Sequence, residues 1–347
     1  MDMPSTTSHP DHPRASRNRI WLAALVFLLG LLSIPRARAA DSALVFLTDF
    51  SLRDGAVSAM KGVAFGVDPR LPQFDITHEI PPFNVWEGAF RLQQAAPFWP
   101  SNTVFVCVVD PGVGTDRLPV VSRTRSGHLF VGPDNGLFTL VDEHLGFDQA
   151  RVIDATRHRL PGSAGSYTFH GRDLFAYVGA QLATGKLRLD DVGPRLTNAP
   201  TRIPYQHAAL TNGTLAGVVP VLDIQYGNVW SNIGRELFEQ LGAKPGDRFE
   251  VRLLEKGRVR AKFEAPYATT FGEVSEGKPL LFLNSLHNVA VALNQASLAQ
   301  RYRIGSGPDW TMQVRPLRKA SSGSQRRRRR SPRGGDVPVA PTGSSRC

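Results

Sequence analysis

Residues 103–114 read Thr-Val-Phe-Val-Cys-Val-Val-Asp-Pro-Gly-Val-Gly, an unbroken apolar run that ends at Asp110. β-Branched residues dominate the run, and such a stretch is typical of a strand buried on both faces. Pro111 and the two glycines that follow favour a sharp turn of the backbone. The stretch therefore predicts a central strand of a covered parallel sheet, with a carboxylate at its C-terminal end.

The residues before this strand alternate between strand and helix patterns. Ala43–Leu47 is a second buried apolar run, and Phe74–Thr77 is a shorter one. Asp54–Gly66 and Val85–Ala96 place apolar residues at helical spacing, which predicts a helix after each of these two strands. The β-α-β-α-β order favours a mostly parallel sheet with flanking helices. A further helix is predicted over His170–Leu182.

The pattern changes after the proline-containing stretch 194–204. Short β-like runs then follow one another around turn residues, at Gly213–Ile224, Arg248–Glu255, Val259–Phe263, Leu280–Leu283 and Asn288–Leu293. Such spacing predicts a mainly β domain, a small barrel or sandwich. The predicted fold class is therefore α/β, with an N-terminal α/β domain over residues 40–198 and a smaller C-terminal β-barrel domain over 199–315.

The two ends of the chain differ from its body. Arg14, Arg17 and Arg19 precede the apolar stretch 20–34, and Ala37-Arg38-Ala39 offers small residues for cleavage. Residues 1–39 are therefore predicted to be a signal peptide, with an uncleaved membrane anchor as the alternative. Either prediction places the body in the periplasm or outside the cell, and cleavage would make the membrane contact through the signal segment transient. Residues 316–347, which are rich in arginine, are predicted to be a disordered basic tail, with adhesion to an anionic surface as the alternative.

Composition excludes several classes of function. The 347 residues carry a formal net charge of +11, yet basic and acidic residues balance between positions 40 and 315. A nucleic-acid groove in the body is therefore not expected. The two cysteines and nine histidines show no zinc or metalloprotease spacing, and the glycines match no dinucleotide or triphosphate loop. We expect neither a metal nor a cofactor, and we expect Cys107 to be a buried small apolar residue.

Three polar segments follow predicted strands, at Asp49, at Asp110 and at Asp134. The carboxyl ends of parallel strands share one edge of a sheet, where ligands commonly bind. Each segment alone is also compatible with an ordinary Asp-containing turn. His170 lies in Thr-Phe-His-Gly-Arg-Asp, where a helix is predicted to begin, and a helix N-terminus lowers the pKa of a histidine.

One further polar segment lies in the predicted β domain. Residues 223–232 read Asp-Ile-Gln-Tyr-Gly-Asn-Val-Trp-Ser-Asn. Read as a strand, they put Asp223, Gln225, Gly227 and Val229 on one face, and Tyr226, Asn228 and Trp230 on the other. Aromatic rings beside an amide suit a planar heterocycle, although an ordinary barrel strand with exposed aromatics is the alternative.

These segments together resemble one enzyme family, from about Asp41 to Leu298. The motifs are Thr48-Asp49-Phe50, Met60-Lys61-Gly62, Thr77-His78-Glu79-Ile80, Val108 to Thr115, Pro133 to Gly136, Thr168 to Asp173 and Asp223 to Asn232. They are similar to those of adenosine-forming S-adenosyl-L-methionine (SAM) hydrolases, also called SAM hydroxide adenosyltransferases. Fluorinases and chlorinases are relatives of this family.

The resemblance implies a trimer that hydrolyses SAM to adenosine and L-methionine, with SAM held between the N-terminal domain of one subunit and the C-terminal domain of the next. It implies a catalytic triad of Asp110, Arg117 and His170. The implied substrate-binding residues are Asp49, Asp54, Phe83, Thr168, Phe169, Asp223, Tyr226, Asn228, Trp230 and Ser285.

The sequence departs from the halogenase pattern at three positions. Asp110 replaces an aromatic residue, Gly171 replaces a halide-binding serine, and Leu286 replaces an arginine after Ser285. The first two departures favour water over halide as the nucleophile, and the third puts the substrate-carboxylate contact in doubt. The alternative function is a non-catalytic module of the cell envelope that binds or scavenges SAM or adenosine.

Overall fold

The computed structural model describes residues 42–317, and its N-terminal half is built on one six-stranded sheet. Its strands are β1 (Leu44–Thr48), β2 (Gln73–Thr77), β3 (Val104–Val108), β4 (Pro119–Thr124), β5 (Leu129–Pro133) and β6 (Phe147–Val152). Their spatial order is β2-β1-β3-β5-β4-β6. The pairs β1–β2, β1–β3 and β3–β5 are parallel, whereas β4 runs antiparallel to β5 and β6. The mostly parallel sheet is therefore confirmed, with β3 in its interior.

Helices cover both faces of this sheet. They are α1 (Ala56–Val67), α2 (Val85–Ala95), α3 (Thr139–Leu145), α4 (Ala155–His158) and α5 (Tyr177–Ala183), with short 3₁₀ turns at Ala96–Phe98 and Leu189–Asp191. Every residue of β1 and β3 is buried, because helices pack against both faces. Cys107 in β3 is fully buried as expected, and burial raises the pKa of its thiol.

Polar side chains lie at the starts of α1 and α2. α1 begins two residues later than predicted, and an oxygen of the Asp54 carboxylate, just before the N-cap residue Gly55, accepts a hydrogen bond from the Ala56 amide at 2.9 Å. α2 begins at Val85 as predicted, where the Asn84 side chain accepts from the Glu87 amide at 3.0 Å. Such side-chain acceptors satisfy amides that have no partner within the helix.

The helix predicted over His170–Leu182 has two parts. Gly171–Ala176 forms a π-helix that continues directly into α5. A π-helical turn is rare and is frequently found at functional sites. Here it lies immediately after His170.

The C-terminal half contains two antiparallel sheets. Its strands are β7 (Ala209–Thr211), β8 (Thr214–Val219), β9 (Val229–Gly234), β10 (Arg248–Glu255), β11 (Arg258–Pro266), β12 (Pro279–Leu283), β13 (Asn288–Leu293) and β14 (Gly307–Pro316). Five strands form one sheet in the order β11-β10-β14-β8-β7, and three form the other in the order β12-β13-β9. Helices α6 (Arg235–Glu239) and α7 (Leu298–Tyr302) and a 3₁₀ turn at Phe271–Glu273 complete this half. Residues of both sheets share one hydrophobic core, as predicted for a mainly β unit.

The prediction of a strand over Asp223–Trp230 is wrong, because β9 begins only at Val229. The preceding residues form a closed turn, in which the Gly227 amide donates to the Asp223 carbonyl at 2.7 Å. Gly227 has a φ of +69°, and a Cβ there would lie 1.9 Å from Ser297 Oγ. A glycine is therefore required, and the turn removes the alternation of faces that a strand would have given.

Direct contacts join the two halves. Trp86 of α2 donates its indole N–H to the Pro220 carbonyl at 3.0 Å, and Arg91 donates to the Leu222 carbonyl at 3.1 Å. These bonds hold the start of the 223–227 turn against α2.

The predicted signal peptide and almost all of the predicted basic tail lie outside the described residues. Within residues 42–317, no helix is long and apolar enough to cross a membrane.

Candidate active site

Asp110 and Arg117 form an ion pair at the C-terminal end of β3. The chain turns back after Asp110 through a bend in which Gly114 has a φ of +77°. This return brings Arg117 Nε to 2.9 and 3.0 Å from the two oxygens of Asp110, and Nη2 contacts the second oxygen as well. The two side chains are only 4% and 10% exposed. A shielded, multiply bonded pair of this kind fixes the orientation of the carboxylate.

His170 completes the cluster. Its Nδ1 lies 3.1 Å from Arg117 Nη2, although 53 residues separate the two in sequence. A guanidinium group can only donate hydrogen bonds, so Nδ1 must accept and the proton of the neutral ring must be on Nε2. The structure therefore brings the three residues of the implied triad together and assigns the tautomer of the histidine.

The environment of His170 favours the neutral ring. Burial lowers the pKa of His170, and the charges of Arg117 and Arg159 lower it further. From the sequence, a helix N-terminus was expected to lower the pKa of His170. In the structure, the main causes of the lowering are burial of the ring and the charges of the two arginines. Arg117 also lies over the ring of Phe175, with Cζ 5.2 Å from the ring centroid, which fixes the guanidinium from the other side.

Asp49 lies next to this cluster, at the end of β1. Burial raises the pKa of Asp49, the amide of Phe83 lowers it, and the charge of Asp110 raises it again. The Phe83 amide donates to Asp49 Oδ2 at 2.9 Å, and Phe83 itself has a φ of +67° with a side chain that is 70% exposed. A carboxylate held in this way can accept hydrogen bonds from a pair of hydroxyl groups.

The remaining candidate residues of the N-terminal half differ from one another in their exposure and their contacts. Phe169 precedes His170 and packs edge-on against Phe50, with centroids 5.8 Å apart. Thr168 is exposed, and its hydroxyl lies 3.1 Å from that of Ser166. Asp54 is exposed, and its hydrogen bond to the backbone of α1 gives it a structural role.

The candidates of the C-terminal half form a second group. Asn228 donates to Asp223 Oδ2 at 3.0 Å across the 223–227 turn. Tyr226 and Asn228 line a cavity of about 600 Å³ whose wall comes entirely from the C-terminal half, with Gln225, Phe271, Leu293, Asn294, Gln295, Ala296, Ser297 and Gln300. The structure does not place this cavity among the triad residues of the same chain.

Trp230 and Ser285 both belong to the part of the chain that forms the three-stranded sheet. Trp230 is half-buried on β9, and Ser285 is exposed in the β12–β13 turn. Asn284 holds this turn by accepting from the amides of Leu286 and Asn288, both at 3.0 Å. Leu286 provides no positive charge in this turn, unlike the arginine of the halogenase pattern.

Two residues near the triad were not predicted from the sequence to belong to the site. Asp173 is fully buried and lies 2.6 Å from Arg172 and 3.5 Å from Arg159. Asp173 belongs to the quoted His-Gly-Arg-Asp string, so a buried acid there could have been suspected. No sequence signal marks Arg159, because its contacts depend on the folding of the loop that follows it.

Within residues 42–317, no group of three or more His, Cys, Asp or Glu side chains is arranged to hold an ion.

Comparison with known proteins points to one family. Residues 44–193 match the N-terminal domain of SAM hydroxide adenosyltransferases, and residues 217–311 match the C-terminal domain. A protein named (R)-S-adenosyl-L-methionine hydrolase from Thermus thermophilus is 37% identical over 268 residues, which cover 76% of this chain and 96% of that protein. One of the same name from Salinispora tropica is 36% identical, with coverages of 76% and 94%.

Halogenating relatives and solved structures are also similar. A fluorinase from Actinopolyspora mzabensis is 28% identical over 289 residues, covering 76% of this chain and 94% of the fluorinase. The crystal structure of an uncharacterized conserved protein from Thermotoga maritima aligns with a TM-score of 0.72 at 34% identity, covering 78% of this chain and 99% of that one.

Proposed function

The chain belongs to the SAM hydroxide adenosyltransferase family, and on this premise we propose that it hydrolyses SAM to adenosine and L-methionine through Asp110, Arg117 and His170. The observation that carries the proposal is the buried carboxylate–guanidinium–imidazole cluster at the end of β3. It supplies an oriented acceptor for one water molecule.

The reaction is a displacement at the ribose C5′ atom. The water oxygen forms a bond to C5′ while the C5′–S bond breaks, and its electron pair stays on sulfur, so methionine leaves as a neutral thioether. Positive charge moves from sulfur toward the attacking oxygen. The rate therefore depends on holding the water in line with the C5′–S bond and on removing its proton.

Asp110 is the group that receives this proton. Arg117 has no acceptor, and Nδ1 of His170 already accepts from Arg117. Each oxygen of a carboxylate has two lone pairs, so Asp110 can accept from Arg117 and from water together. As the C5′–O bond forms, the water becomes an oxonium ion, which is acidic enough to protonate a carboxylate that is stabilised by arginine.

Arg117 and His170 orient the acceptor. Arg117 aims the Asp110 oxygens, and His170 as a neutral acceptor fixes the second edge of the guanidinium. A protonated His170 would point an N–H group at an N–H group of Arg117, which would break this contact. The proposal therefore requires His170 to be neutral during turnover, in agreement with its lowered pKa.

We assign the ribose to the N-terminal half and the rest of the substrate to the C-terminal half. Asp49, with Phe83 beside it, lies next to the triad and suits the ribose hydroxyls. The cavity at Tyr226 and Asn228 suits the adenine or methionine end. Because that cavity is walled by the C-terminal half alone, a homotrimer that pairs the triad of one subunit with the cavity of the next would complete the site.

Water is favoured over halide as the nucleophile. A negative charge at Asp110 repels an anion, and Arg117, the cation of the cluster, is already paired with that carboxylate. The identities agree with this preference, since the relatives named hydrolases are 36–37% identical and the fluorinase is 28% identical.

The relatives are named for the (R) form of the substrate, and we propose the same preference here. The sulfonium centre is chiral, so the two forms present their methyl and methionine groups in exchanged positions.

An exported enzyme, as predicted from residues 1–39, would meet SAM outside the cytosol. Detection of a peptide that spans Ala39–Ala40 in the mature protein would contradict cleavage at that position.

The test is an end-point assay on the full-length protein with each sulfonium form of SAM. Adenosine and methionine are measured by chromatography, with and without chloride. Equal amounts of both products, unaffected by chloride, are expected. The appearance of chlorinated adenosine would contradict the hydrolase assignment, and binding of SAM without turnover would favour the non-catalytic alternative. A monomeric mass in solution would contradict the trimer.

A further inference from the structure

Arg159, outside the triad, anchors the loop that leads to His170. It directly follows α4, and its side chain is only 8% exposed. Its Nε donates to Ser163 Oγ at 3.0 Å, and its Nη2 donates to the Ser166 carbonyl. One guanidinium group thus holds both ends of the stretch 163–166, which precedes Thr168, Phe169 and His170 in the chain.

The same guanidinium reaches toward His170 through two neighbours. Its Cζ lies 4.6 Å from the ring centroid of Tyr167, and Tyr167 in turn packs edge-on against His170 with centroids 6.4 Å apart. Its Nη2 lies 3.5 Å from Asp173, the fully buried acid of the π-helix. Arg159 is therefore coupled to His170 through packing on one side and through a buried charge on the other.

Two buried polar atoms in this region lack a hydrogen-bond partner among the described residues. They are Nη1 of Arg159 and Nε2 of His170. Burying an unpaired polar atom costs free energy, so each such atom is expected to find a partner in water, a ligand or a reacting group. Arg151 also has a buried nitrogen without such a partner, Nε, so an unpaired donor is not peculiar to Arg159, and the inference rests on the contacts of Arg159 with Tyr167 and Asp173.

We propose that Arg159 is a positioning residue of the active site, whose positive charge and hydrogen bonds hold His170 as the neutral acceptor of Arg117. The inference rests on the proposed function, in which the neutral ring aligns Arg117 and thereby Asp110. Arg159 touches neither water nor substrate in this scheme and acts only through His170.

The charges around His170 determine the direction of the effect. Arg117 and Asp110 face it from the loop after β3, Arg159 from the end of α4, and Asp173 from the π-helix. The two arginines disfavour protonation of the ring, and the two aspartates favour it. Removal of Arg159 takes away one cation and exposes His170 more fully to Asp173, so both changes favour the protonated ring.

The test compares Arg159→Gln with Arg159→Lys in the full-length protein. We expect Arg159→Gln to move the acid limb of the kcat profile toward neutral pH. Turnover at the acidic end should fall on the order of tenfold, and at the alkaline end by less than about twofold. Arg159→Lys keeps the positive charge and should return the limb toward its wild-type position. Equal displacement in both variants, or no displacement in either, would overturn the inference.

A matched control separates this role from stability. Arg151 is a similarly shielded arginine, 13% exposed, which pairs with Asp190 and donates to the Gly193 carbonyl at 2.7 Å. Arg151→Gln should lower the melting temperature without moving the acid limb. If Arg159→Gln fails to fold, Tyr167→Leu removes the ring on which Arg159 rests and should shift the limb in the same direction.

A second readout does not depend on turnover. The titration of the His170 ring is followed by NMR in the wild type and in Arg159→Gln. A titration that moves to higher pH in the variant supports the inference even if the wild type proves inactive on SAM, in which case only the proposed function fails. An unmoved titration in an active enzyme overturns the inference and leaves the proposed function intact.

Discussion

Replacement of Asp110 by asparagine tests the chemical core of the proposal. The Asp110→Asn change would keep the shape of the side chain but would remove its charge and one acceptor oxygen. Arg117 now contacts both oxygens of Asp110 at 2.9 and 3.0 Å, and one of these contacts would become a clash between N–H groups. The variant would also lack a base for the proton of the attacking water.

The expected loss is large in turnover and small in binding. Removal of a general base typically costs about 10²- to 10⁴-fold. We expect kcat to fall about 10³-fold, which corresponds to roughly 4 kcal/mol in the activation barrier. The Kd for SAM should change by less than about threefold, which corresponds to about 0.7 kcal/mol, because Asp110 contacts the water rather than the substrate.

The assay combines single-turnover formation of adenosine with calorimetric titration of SAM. Asp148→Asn is the matched control, because Asp148 accepts from Nε and Nη2 of Arg123, both at 3.0 Å, on the same sheet. This exposed pair is worth at most about 1 kcal/mol, so the control should retain full turnover. Full activity of Asp110→Asn would refute the assigned role. A parallel loss of binding and turnover would show that Asp110 holds the substrate instead.

Three further predictions concern the other parts of the site. Trp230→Ala should weaken SAM binding about tenfold in a calorimetric titration, because an aromatic wall is lost; unchanged affinity would exclude Trp230 from the binding site. Gly227→Ala should lower both the melting temperature and SAM affinity, since the new Cβ would meet Ser297 Oγ at 1.9 Å; a wild-type melting temperature would contradict the need for glycine. His170 has a lowered pKa in the folded state, so near this pKa the folded protein binds fewer protons than the unfolded chain. The free energy of unfolding should therefore decrease as pH falls below about 6.5. His170→Gln should flatten this part of a plot of urea-unfolding free energy against pH, and an unchanged slope would show that other groups cause it.

Much of the N-terminal sheet was predictable because its signals are local. The apolar runs that became β1 and β3 are buried over their whole length, and the Asp-Pro-Gly stretch after β3 does place Asp110 at the strand end. The pairing of Asp110 with Arg117 spans only seven residues and depends on a turn whose glycines are visible in sequence.

The 223–230 segment shows where local signals fail. Its alternating residue types are compatible with a strand, but the bond from the Gly227 amide to the Asp223 carbonyl closes it into a turn. Ser297, 70 residues further along the chain, leaves no room for a Cβ at Gly227, and no pattern within the segment reveals that close approach. The result is that Asn228 bonds to Asp223 instead of lying on the opposite face.

Residue patterns along the chain were enough to indicate the buried strands, the helices that follow them and the carboxylates that end the strands, because these properties depend on sequence neighbours. The motifs also indicated the family. Folding in three dimensions was needed to establish that Nδ1 of His170 accepts from Arg117, that Asp173 is buried beside Arg159, and that the cavity at Tyr226 is separate from the triad. Those contacts join residues that lie far apart in the chain. Packing in the folded protein sets the orientation of each side chain there, so neighbouring residues in the sequence do not determine it.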